Sequence, residues 1–164
     1  MTPLVKGLIV AAVHVAIVGS VGAKLLLDRA TQPRVWARTA PYDPDLPIRG
    51  RYVRLRLEAV PGQDFVAPLS HDAPVALTVD DGKLVAALAE GGAVSARISL
   101  RGEERIALIA EPVAYFIPEH VPDPSVRKPE EELWVEVTVP RAGPPRPIRL
   151  GVKRAGTLTP LAVE

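Results

Sequence analysis

Apolar and polar positions alternate in two different ways along this chain. From Gly7 to Leu27 the residues are almost all apolar, with Lys24 as the one permanent charge. At ~1.5 Å rise per residue, about 20 residues span the ~30 Å of a hydrocarbon core. A helix there satisfies its backbone internally, as lipid demands, and Lys24 near the end can snorkel to the interface. The pattern predicts a membrane anchor over 7–27, after a short tail over 1–6. A cleaved signal is the competing reading, with Val21 and Ala23 as loosely fitting small residues before a cut. The run is longer than the ~7–15 apolar residues of such signals, which favours the anchor.

Beyond residue 47 the period becomes 2. Val53, Leu55, Leu57 and Ala59 alternate with Tyr52, Arg54, Arg56 and Glu58, as in a strand with one wet face. Val75, Leu77 and Val79 lead into Asp80-Asp81-Gly82, a strong hairpin signal, with Leu84 and Val85 following. Val94, Ala96, Ile98 and Leu100 form another alternation, turned by Arg101-Gly102-Glu103. Ile106–Ala110 is apolar on both faces, as expected of a strand flanked on both sides. Leu133, Val135, Val137 and Val139 alternate, and so do Ile148, Leu150 and Val152. Six or seven short strands predict a mainly β protein. Its one transmembrane helix precedes an antiparallel β-sandwich or partly open β-barrel over 48–164. Residues 28–47, with prolines at 33, 41, 44 and 47, read as a juxtamembrane linker. Trp36 within it reads either as an interfacial anchor or as a core residue of the β domain.

Composition narrows the partners. The 164 residues carry 20 Lys and Arg against 19 Asp and Glu, so no strong basic field favours nucleic acid. Two Trp, three Tyr and two Phe are too few for a stacking platform. With no cysteine, disulfides, thiolate metal sites and a cysteine nucleophile are excluded. His14, His71 and His120 have no ligand spacing, and Asp80-Asp81 lacks the rest of a calcium loop, so no cofactor or metal is expected. Ser70-His71-Asp72 is no catalytic relay by itself, since neighbours on an extended chain point opposite ways.

Two segments stand out. Asp43-Pro44 with Arg49, Gly50, Tyr52 and Leu55 is one, and Tyr115-Phe116-Ile117-Pro118-Glu119 is the other. Behind an N-terminal membrane helix, they resemble the GDYXXLXY family of bacterial membrane-anchored proteins. Arg51 stands where that motif has Asp, Leu57 where it has Tyr, and His120 where Gly often follows. The resemblance carries no established activity. It implies architecture, a bacterial cytoplasmic membrane location and a polytopic membrane protein as partner.

Several residues then have competing readings. Ala12, Ala16, Gly19 and Ala23 form a small-residue stripe that suits a partner helix or reflects ordinary composition. His14, on roughly the opposite side, is an ionisable residue inside the span. Arg49, Arg51, Arg54 and Arg56 offer either an interaction surface for acidic partners and headgroups or a solvated face with cross-strand acids. Tyr52 is expected to lay its ring over a neighbouring strand, Phe116 to fill the core and Pro118 to stop the ladder. Charge asymmetry about the helix is nearly balanced, with Lys6 before it and Arg29, Arg34 and Arg38 after it. The short tail before a long domain favours the domain lying outside the cytoplasm, in the periplasm. The expected role is a membrane-tethered interaction or accessory protein. The alternative is an envelope enzyme or small-ligand binder near Glu119 and His120.

Overall fold

A computed structural model describes residues 2–40, 52–65, 71–118 and 120–162. The chain divides into two compact units, Met1–Gln32 and Pro33–Glu164. The first is a single helix, α1 (Pro3–Thr31), of 29 residues. Pro3 suits the first helical turn, where its missing N–H would have had no partner. At ~1.5 Å per residue the helix is about 43 Å long, enough to cross the ~30 Å hydrocarbon core with both ends beyond it. It is apolar and long enough to cross a membrane. None of its residues is buried. Three of its polar side chains bond to its own carbonyls. His14 Nδ1 lies 2.8 Å from the Val10 carbonyl, and Ser20 and Thr31 donate to Ile17 and Leu27 at 2.8 Å. That local satisfaction removes the main cost of polar groups on an apolar helix.

The second unit is mainly β, with ten strands among the described residues. They are β1 (Arg34–Ala40), β2 (Tyr52–Pro61), β3 (Ala73–Asp80), β4 (Lys83–Leu88), β5 (Val94–Arg101), β6 (Glu104–Ile109), β7 (Val113–Phe116), β8 (Glu131–Thr138), β9 (Arg146–Arg154) and β10 (Thr157–Pro160). They hydrogen-bond in the order β10-β9-β8-β1-β2-β4-β3-β5-β6. β6 also pairs with β2 through Glu58↔Leu108 and Ala59↔Ala107. The pairings therefore return to β2 and close a ring of five strands, from which β1, β8, β9 and β10 continue as an open flank. All pairings are antiparallel except a short parallel one, Val60↔Val85 and Pro61↔Ala86.

The alternations read from sequence become burial. Val53, Leu55, Leu57 and Ala59 are buried, and so are Leu133, Val135, Val137 and Val139. Residues of the ring and the flank join in one hydrophobic cluster. β6 has β5 on one side and β2 on the other, so it is an interior strand of the ring. Asp80↔Lys83 leaves Asp81 and Gly82 as a two-residue turn with φ of 45° and 67°, the type I′ signature that Asp-Gly favours.

Three expectations need correction. Residues 34–40 are not linker. They form β1, whose Val35, Ala37 and Thr39 are buried against the domain. The rest of the expected linker, 41–47, lies outside the described residues. Trp36 is therefore a residue of the β domain. Phe116 does not fill the core. It is 58% exposed, and its neighbour Ile117 is buried instead. Leu100, expected inward with Ile98, is exposed near the end of β5. β10 had no counterpart in the sequence pattern.

Candidate functional site

The two motif-like segments, some sixty residues apart, meet across one antiparallel ladder. β2 and β7 pair in the register Tyr52↔Phe116, Val53↔Tyr115, Arg54↔Ala114 and Leu55↔Val113. Period 2 then separates their faces. Val53, Leu55 and Val113 point inward, with Tyr115 partly buried against the core. Tyr52, Phe116, Arg54 and Ala114 stand on the outer face. The Tyr52 and Phe116 rings meet edge to face, with centroids 5.5 Å apart and planes at 68°. Both remain more than half exposed. Arg54 and Arg56 follow on the same strand face, each half-buried. Pro118 is half-buried, two residues beyond the end of β7. Arg49, Gly50, Arg51 and Glu119 lie outside the described residues. Along α1, the expected packing positions Ala12, Ala16, Gly19 and Ala23 are all exposed.

A second site was not legible in any motif. The flank and the ring border a cleft of about 290 Å³. Its walls include both tryptophans of the chain, Trp36 on β1 and Trp134 on β8, with Ala37, Ala59, Val60, Leu84 and Ile106 as apolar surface. Its charged groups are Arg38, Glu58, Lys83, Arg101, Glu104 and Arg105.

The tryptophans are held in place. Arg38 is paired in register with Trp134, and Trp36 with Glu136. The Trp36 ring lies against Gly151 of β9, where an added Cβ would sit 2.8 Å from it. The Arg149 guanidinium stands 5.3 Å from the Trp36 ring centroid, and Lys153 Nζ stands 4.6 Å from that of Trp134. Arg149 Nε also donates to Glu136 at 2.6 Å, which compensates that buried carboxylate. Trp134 Nε1 donates to Glu132 at 3.1 Å.

Charge in the cleft is organised around Glu58. Its Oε2 accepts from Arg101 and lies 3.8 Å from Arg38 Nε. Arg101 also bonds Glu104, and Arg38 Nη1 lies 3.0 Å from Glu132. Burial works against the Arg101 guanidinium, but its bonds to Glu104 and Glu58 outweigh that and raise its pKa above the ordinary arginine value. These arginines and acids come from β1, β2, the β5–β6 hairpin and β8, so only the fold assembles them.

His120 is exposed and does not line this cleft. Among the described residues, no three His, Cys, Asp or Glu side chains gather as a metal site. No family model, no curated protein and no solved structure matches this chain.

Proposed function

We propose that this protein is a membrane-tethered interaction protein, with its β domain outside the cytoplasm, working beside a polytopic membrane partner. The observation that carries the reading is the Pro3–Thr31 helix, long and apolar enough to cross a membrane. Its Gly7–Leu27 stretch, charged only at Lys24, needs lipid or another protein to cover it. The small stripe of Ala12, Ala16, Gly19 and Ala23 lets a partner helix approach closely. The β2–β7 ladder supports a second contact. An exposed aromatic pair beside arginines matches the composition of interface anchors, where Tyr and Arg are enriched. The likeness to the GDYXXLXY family is in keeping with this reading, and its Tyr52, Leu55, Tyr115 and Phe116 stand in that ladder.

Photo-crosslinking in native membranes tests the reading. A reactive group at Ala16 is expected to capture one polytopic protein, and a group at Ile17, off the stripe, is not. Replacing Tyr52 and Phe116 together by Ala is expected to lower the yield of that adduct. The absence of an adduct from either helix position would leave the helix as a tether alone and end the partner reading.

A further inference from the structure

We infer that the cleft between Trp36, Trp134 and the β5–β6 hairpin binds a small organic anion of one ring, of the acidic-sugar class. This inference does not depend on the membrane partner.

The cleft is large enough for one ring and little more, since ligand sites commonly begin near ~300 Å³. Its surface is divided. Ala37, Ala59, Val60, Leu84 and Ile106 offer an apolar bed, and the indoles of Trp36 and Trp134 add aromatic wall. A sugar ring has one such apolar side and a rim of hydroxyls. The rim meets Arg38, Glu58, Arg101 and Glu104, whose paired guanidiniums and carboxylates can donate to and accept from neighbouring hydroxyls. The network already fixes these side chains, so their ordering is largely complete before a ligand arrives.

The charge balance selects an acid. Four cations face two carboxylates along the cleft. Glu58 and Glu104 are engaged by Arg101 and Arg38. Lys83 has no ion-pair partner among the described residues. Arg105 makes one long contact, 3.4 Å, to the Phe65 carbonyl, and its side chain meets no carboxylate. These two cations come from the β3–β4 and β5–β6 hairpins and are available to one carboxylate on the ligand. A bare anion would use the two cations but not the apolar bed, which is why a ring-bearing acid fits better.

The site has its own reporter, because the chain's two tryptophans both line the cleft. The full chain in phosphatidylcholine bicelles is titrated with glucuronate, glucose and inorganic phosphate. Tryptophan emission and isothermal calorimetry are followed on the same samples, so binding that leaves the indoles unperturbed is still seen. Glucuronate is expected to saturate at least tenfold more tightly than glucose or phosphate. The Lys83→Ala and Arg105→Ala double variant, both positions exposed, is expected to lose at least tenfold in glucuronate affinity while keeping its urea midpoint. Equal binding of phosphate reduces the site to a general anion contact and overturns the inference. So does equal binding of glucose, full retention in the double variant, or no heat and no emission change with glucuronate.

Discussion

Helix α1 and strand β2 carry similar apolar residues, yet their surroundings are opposite. Leu8, Val15, Ile17 and Leu26 of α1 are each more than half exposed, whereas Leu55 and Leu57 of β2 are 2% and 0% exposed. The difference lies in periodicity and partner. β2 alternates, so one face can be buried while the other carries Tyr52, Arg54, Arg56 and Glu58. α1 is apolar on all sides, so no single face seeks the protein. The two glycines Gly19 and Gly151 make the same contrast in miniature. A Cβ at Gly19 meets nothing within 4 Å, and one at Gly151 runs into the Trp36 indole.

The largest test of this contrast is a matched pair of leucines. Leu57→Ala is expected to destabilise the β domain by about 2–5 kcal/mol, the usual cost of a cavity in a closed core. Leu8→Ala is expected to stay within about 0.5 kcal/mol, as exposed substitutions do. Urea unfolding followed by tryptophan emission reads both, and equal shifts would erase the distinction.

The glycines come next. Gly151→Val is expected to cost about 1–3 kcal/mol, because the added carbons overpack against a ring held by Arg149. Tryptophan emission should shift with it. Gly19→Leu is expected to leave the unfolding midpoint of the purified protein unchanged but to abolish the Ala16 crosslink. That outcome would separate contacts made inside the chain from contacts made to a partner.

A smaller effect is expected at the Asp81-Gly82 turn. Gly82 adopts φ of 67°, so Gly82→Ala should cost about 1–2 kcal/mol through left-handed strain. Chemical denaturation measures it, and a cost near zero would mean that the hairpin relaxes to another turn type.

The smallest expected effect is electrostatic. Glu131 accepts from Arg154, which lowers its carboxyl pKa; burial opposes this, while the Lys128 backbone and the Arg127 charge assist. The folded state therefore holds the Glu131 proton less tightly than the unfolded chain does. The resulting stability is fully present above the ordinary glutamate value of ~4.3 and is lost as pH falls through the lower folded value. Unfolding midpoints measured between neutral pH and about pH 3 should fall less steeply in Glu131→Gln than in the parent. Identical slopes would show that the Arg154 contact has no weight in solution.

Much of the fold was legible where period and burial coincide. β2, β5 and β8 alternate over long enough runs to be read directly, and Asp-Gly marked its turn. β1 was not legible because its buried positions are Val35, Ala37 and Thr39, a weak alternation set among arginines and near prolines. Thr39 is tolerated inside because its hydroxyl donates to the Leu133 carbonyl at 2.9 Å. β10, Thr157–Pro160, is too short for its Thr-Leu-Thr alternation to stand out and is positioned by pairing with β9 through the Ala155-Gly156 turn. The orientation of Phe116 was a register error of one. The inward set is Val113, Tyr115 and Ile117, which places Phe116 on the outer face.

The candidate sites divide the same way. Both halves of the Tyr52–Phe116 ladder stood out in the sequence, although their pairing did not. The cleft left no local signature, since Trp36, Glu58, Lys83, Arg101 and Trp134 are scattered along the chain.

By itself the sequence determined an apolar helix of membrane length and a succession of half-buried strands. Those properties follow from local geometry, in which 1.5 Å per residue sets a span and period 2 sets a face. Only the tertiary structure decided that β2 closes a five-stranded ring, that Tyr52 meets Phe116, and that two tryptophans and a Glu58-centred charge network share one cleft. Those outcomes depend on which strands pair and in which register, and pairing is chosen by the summed burial of the whole core rather than by any one segment.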